Sequence, residues 1–108
     1  MTYKNSRPFF FDIDGTLTTV PTRKWGPPIE ERLAAIRQLV VQNYQVVLWT
    51  GGGTGYAREF AEAHRLGGLT CIGKPEALFD DNPTIRPRDR MPLIAPDQLV
   101  GFVRGLLP

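Results

Sequence analysis

Three short apolar runs separated by two stretches of helical periodicity constrain the fold of this 108-residue chain more than any other feature. The runs cover residues 9–13, 45–49 and 69–72. Each is short, rich in aromatic or branched side chains and bounded by turn residues, as buried strands are. After Pro27 and Pro28, the residues Ile29, Leu33, Ile36 and Val40 recur at helical spacing, with Glu30 and Glu31 suited to the positive end of a helix dipole. This predicts a helix over about 28–43. Thr50-Gly51-Gly52-Gly53 then turns the second strand into a second helix, with Tyr56, Phe60 and Ala63 on one face and Gly67-Gly68 as its stop. A fourth strand is expected over 77–79 and a weak fifth over 91–94, interrupted by Pro92. A last helix opens at Pro96 and Asp97, with Leu99, Val103 and Leu106 inward. Strands alternating with helices in this way predict an α/β fold. The expected form is a three-layer, Rossmann-like one, with a mainly parallel sheet, helices on both faces and right-handed crossovers, in a single domain over 1–108.

Composition narrows the class further. With 42% hydrophobic and 22% charged residues, the chain has the profile of a folded globular protein rather than a disordered one. Cys71 has no intrachain partner, so it reads as a buried structural thiol in a reducing compartment. No apolar run approaches the roughly 18 residues of a membrane helix, and the first residues lack an apolar leader segment. A cytoplasmic protein without membrane contact is expected. The net charge of +2 tolerates an anionic substrate without indicating nucleic acid.

The ends of the expected strands carry polar groups: Asp12 and Asp14 after the first, Thr50 after the second, Asp80 and Asp81 after the fourth. In a parallel α/β sheet these positions converge on the edge where ligands bind. Four carboxylates there repel one another unless a hard divalent cation sits among them, and magnesium bound by a few carboxylates plus a substrate phosphate suits such a set. Lys74 supplies the compact positive charge that a phosphoryl oxygen and an anionic nucleophile both need.

The string Asp12-Ile13-Asp14-Gly15-Thr16-Leu17-Thr18 resembles the first signature motif of the haloacid dehalogenase (HAD) superfamily. Thr50 is similar to the second motif, whose hydroxyl holds the phosphoryl group. Lys74 is similar to the third, and Asp80-Asp81-Asn82-Pro83 to the fourth, the acidic pair of the metal site. The resemblance runs from about residue 9 to 83. Lys74 departs from it in lying only six residues before Asp80, where many members have a helix between the two. The resemblance implies a magnesium-dependent phosphomonoester hydrolase that acts through an aspartyl-phosphate. Asp12 would be the nucleophile, Asp14 the general acid and base, and Thr50 and Lys74 the groups that steady the phosphoryl oxygens. Asp12, Asp14, Asp80 and Asp81 would form the metal set for Mg²⁺. An acidic residue at 14 favours phosphate transfer over dehalogenation within that family.

Only about a dozen residues separate Thr16 from Pro28, and one helix and one strand fill the interval from Thr50 to Lys74, so there is no room for a cap domain. Capless members act on large phosphorylated substrates or form oligomers that cover the site, which makes a homo-oligomer one expectation. Gly51 beside the phosphate position, Arg23 and Trp25 on a short flap, and Arg86 near the fourth motif are the expected substrate contacts. Trp25 suits stacking on a base, and Arg86, Arg88 and Arg90 share one face if extended. Packing of Trp25 on the body of the protein and a solvated arginine loop are the simpler readings of the same residues. Nucleotides or nucleic-acid ends lead as substrates, ahead of phosphoproteins. A non-catalytic HAD-like binding module and a response-regulator-like receiver are the readings from other classes. Both fit the intact Asp12-Ile13-Asp14-Gly15-Thr16 string less well. His64, near the end of the second helix, is expected to have no catalytic part.

Overall fold

The computed structural model describes residues 2–20, 26–77, 79 and 93–108. Their elements follow the order β1 (Phe9–Phe11), α1 (Glu30–Val41), β2 (Val46–Thr50), α2 (Thr54–Ala63), β3 (Thr70–Gly73) and α3 (Leu99–Leu106), the last entered through a 3-10 turn at Pro96–Gln98. The three strands form a parallel sheet in the order β1-β2-β3. Phe11 is level with Leu48, and Leu48 with Cys71, so the carboxyl ends of all three strands meet at one edge. Each crossover is a helix, as parallel neighbours require.

One face of the sheet carries the core. Side chains alternate along a strand, and Phe11, Val46 and Leu48 point into a single cluster with Leu33, Ile36 and Leu39 of α1, Ala57 and Phe60 of α2, and Leu99 and Val103 of α3. Phe60, Leu33, Ile36, Leu39, Leu48 and Val103 are fully enclosed. Each such side chain contributes about 1.5–3 kcal/mol through the area it removes from water. Phe10, Val47 and Trp49 alternate with these residues and stand outside the cluster. Among the described residues, then, all three helices pack on the same face. The parallel α/β architecture is present; a helical layer on the second face is not seen among these residues.

Both crossover helices end in the same way. The N–H of Tyr44 donates to the Leu39 carbonyl and that of Asn43 to Val40, with Asn43 left-handed at φ 66°. At the end of α2 the N–H of Leu66 donates to Ala61 and that of Arg65 to Glu62, with Arg65 left-handed at φ 55°. These are Schellman closures. The stop expected at Gly67-Gly68 therefore comes earlier, at a non-glycine residue, because Leu66 is pulled into the core at 4% exposure.

The inward face of α2 also differs from expectation: Ala57, Phe60 and Ala61 are buried, Ala63 is exposed and Tyr56 is half-buried. The apolar stripe has turned by about one residue, which directs Tyr56 toward the sheet edge. Ala77 and Phe79 of the expected fourth strand are irregular and exposed, Phe79 at 93%. Leu93 and Ile94 of the expected fifth are likewise irregular and exposed. Apolar pieces this short hold a ladder only weakly by their own propensity, and Pro92 offers no N–H at all. Leu78, Met91 and Pro92 lie outside the described residues. Among the described residues no helix is long and apolar enough to cross a membrane.

Candidate active site

The chain leaves β1 into a turn held from several directions. The Ile13 carbonyl accepts the N–H groups of Thr16, Leu17 and Thr18 at 3.1, 2.8 and 3.3 Å. Gly15 takes φ 81°, a left-handed conformation that glycine adopts without steric cost. Thr18, fully buried, accepts the Gly15 N–H at 3.2 Å and donates its hydroxyl to the Val20 carbonyl at 3.2 Å. From α1 the Arg32 guanidinium donates to the Thr16 carbonyl at 2.8 Å. Asp12 and Asp14 thus sit on a braced loop, both half-buried.

The two carboxylates have different partners. Asp12 Oδ1 lies 3.4 Å from Lys74 Nζ, and the Thr16 hydroxyl approaches Asp12 Oδ2 at 3.5 Å. With the Lys74 and Asp12 side chains 44% and 36% exposed, this ion pair is screened by water and adds little to stability. Its significance is geometric: a cation stands directly beside the carboxylate. Lys74 Nζ also lies 5.7 Å from the centre of the Trp49 ring, within the range of a cation–π attraction. Asp14 instead accepts the Tyr56 hydroxyl, at 2.8 Å to Oδ1 and 2.9 Å to Oδ2.

Thr50 ends β2 and is 3% exposed. Its hydroxyl accepts the Gly52 N–H at 3.1 Å, while its carbonyl accepts the N–H groups of Lys74 at 2.8 Å and Gly53 at 3.2 Å. The turn after β2 is thereby locked to the end of β3. Glycine suits that contact, since a Cβ on Gly73 would stand 3.0 Å from the Gly53 Cα and push the backbone there aside by a few tenths of an ångström. Gly73 N–H also donates to Thr54 Oγ1 at 3.0 Å. The chain then emerges with Lys74 beside Asp12. Gly51 follows Thr50 at the same edge and is exposed.

Asp12 and Thr16 also line a largely apolar cleft of about 410 Å³, together with Phe10, Phe11, Trp49 and Phe102. Phe10 meets Trp49 edge-on, with ring centres 4.9 Å apart, and is itself 42% exposed. An aromatic wall therefore adjoins the carboxylate edge.

Of the residues expected at the site, Asp12, Asp14, Thr50, Gly51 and Lys74 gather at the carboxyl edge of the sheet. Asp80, Asp81, Arg23, Trp25, Arg86, Arg88 and Arg90 lie outside the described residues. Three further contributors were not foreseen: Tyr56, Arg32 and the buried hydroxyl of Thr18. For Tyr56 a signal existed, because a tyrosine in the first turn of a helix that opens at the polar sheet edge carries its hydroxyl toward that edge.

Among the described residues no three His, Cys, Asp or Glu side chains gather as a metal site. Asp12 and Asp14 nevertheless suit magnesium, which is commonly held by one or two carboxylates, with waters and a substrate phosphate completing its shell. Cys71 is half-buried, and burial pushes its thiol up against a smaller opposing effect of Arg58, the character of an unreactive thiol. His64 caps the end of α2 and packs on Phe60, with ring centres 4.4 Å apart, away from the carboxylates.

Comparison of the chain with family models, curated proteins and solved structures finds no match.

Proposed function

We propose that the protein is a magnesium-dependent phosphomonoester hydrolase of HAD type, capless and Rossmann-like in three layers, in which Asp12 is transiently phosphorylated. The observation that carries this reading is the pairing of Asp12 with Lys74, 3.4 Å apart at the sheet edge, with Asp14 two residues on. A structural ion pair has no need of a second carboxylate on the same braced turn. A nucleophile with a separate acid does.

Asp12 attacks phosphorus, forming a carboxylate oxygen–phosphorus bond as the bond to the leaving oxygen breaks. Asp14 gives its proton to that oxygen, then takes one from the water that cleaves the aspartyl-phosphate and releases inorganic phosphate. Lys74 offsets the negative charge on the phosphoryl oxygens and on Asp12, and the Thr50 hydroxyl, whose oxygen accepts the Gly52 N–H, keeps its own proton to donate to a phosphoryl oxygen. Asp12 through its carboxylate and Asp14 through its main-chain carbonyl would hold magnesium, which when bound screens the repulsion between a carboxylate and a phosphate dianion and leaves the Asp14 carboxyl group to carry the proton. The apolar cleft beside Asp12 suits the organic part of the substrate. Its aromatic wall of Phe10 and Trp49 favours a flat group, such as the base of a nucleotide or of a nucleic-acid end.

The test is turnover of p-nitrophenyl phosphate and of a panel of nucleotides, sugar phosphates and phosphopeptides with magnesium. Hydrolysis that stops with chelator and returns with magnesium, but poorly with calcium, is the expected result. Undiminished activity in chelator overturns the metal-dependent reading, and preference for phosphopeptides over nucleotides overturns the substrate class.

A further inference from the structure

The hydroxyl of Tyr56 reaches both oxygens of Asp14, at 2.8 and 2.9 Å, across 42 residues of sequence. Tyr56 comes from the first turn of α2, and Asp14 from the loop after β1. The ring is fixed from below by the glycine turn, because a Cβ on Gly52 would lie 2.9 Å from the Tyr56 Cγ. A bulkier residue at 52 would displace the ring. The helix start, the glycine turn and the loop thus converge on a single hydroxyl–carboxylate contact.

We propose that Tyr56 is the positioning residue for Asp14, orienting its carboxyl group for proton transfer to the leaving oxygen. The inference rests on the phosphohydrolase reading and adds to it a residue that no sequence motif indicated. A carboxyl group at the end of a short, two-torsion side chain rotates freely unless something holds it, and a proton donor off by a fraction of an ångström loses much of its effect. Tyr56 can hold Asp14 in both of its states. The phenol donates to the carboxylate when Asp14 is ionised, and to the remaining carbonyl oxygen when the other oxygen carries the proton. As the bond from phosphorus to the leaving oxygen breaks, the Asp14 O–H bond breaks with it and the proton passes to that oxygen. The phenol keeps its own proton throughout.

Tyr56→Phe removes the hydroxyl and leaves the ring against Gly52, so the fold survives and thermal unfolding of the variant verifies it. The readout is the dependence of kcat on the leaving group. For an alkyl phosphate, whose leaving oxygen must be protonated, kcat should fall about 10- to 100-fold with KM little changed, whereas for p-nitrophenyl phosphate the loss should be about twofold. In an Asp14→Asn background the same change should cost less than about twofold on the alkyl phosphate, because the group it orients is already disabled. Equal losses on both substrates, or a full additional loss in the Asp14→Asn background, overturn the proposal while leaving the phosphohydrolase reading intact. Absence of turnover by the unsubstituted protein overturns both.

Discussion

The helix-facing side of the sheet and its carboxyl edge are built on opposite terms. On the helix-facing side Phe11, Val46 and Leu48 are buried, apolar and surrounded by the side chains of all three helices. At the edge, just past the ends of β1 and β3, Asp12, Asp14 and Lys74 are partly exposed and are held by a few directed contacts. The first arrangement supplies stability and tolerates no volume change. The second contributes little to stability and depends on angles and distances. The separation teaches that loss of folding and loss of chemistry should be independent over most of the chain.

The sharpest way to break this separation is Asp12→Asn. It should abolish turnover while leaving the thermal unfolding midpoint nearly unchanged, since an exposed ion pair is worth at most about 1 kcal/mol. A large stability loss would show that the edge also carries the fold. Asp14→Asn should lower kcat by about 100- to 10,000-fold, the range for a lost general acid and base, again without much effect on stability. At the opposite pole, Phe60→Ala empties a fully enclosed site and should cost about 3–5 kcal/mol in urea unfolding. Thr18→Val tests a residue that belongs to both regions. It strands the Gly15 N–H in a buried turn, so about 1–3 kcal/mol of stability and a measurable part of kcat should be lost together. The smallest expected effect is that of Trp49→Ala, a rise of about 3- to 10-fold in KM for an aryl phosphate through loss of a stacking surface. No change in KM would remove the cleft from the substrate path.

The order of residues along the chain settles local structure. Strand, turn and helix are written in the spacing of apolar residues, so the three runs, the two crossover helices and the polar groups at the strand ends were legible before any coordinates. Asp12, Asp14 and Thr50 could be singled out because each closes or follows an apolar strand and parallel strands bring such positions to one edge, and Lys74 because a cation just upstream of Asp80 suits a phosphoryl group. Tertiary structure decided the rest. Helix α2 ends at Ala63, with Arg65 left-handed just after it, rather than at the glycine pair, because the core draws in Leu66 and burial outweighs the cost of a left-handed arginine. The short apolar pieces around Phe79 and Ile94 do not extend the sheet at those residues, since a strand is stabilised by its neighbour as well as by its own propensity. Tyr56 reads as a core residue by periodicity, yet its hydroxyl serves a carboxylate 42 positions away. A side chain with an apolar ring and a polar tip satisfies either role, and only the packing of α2 against the sheet determines where the tip arrives.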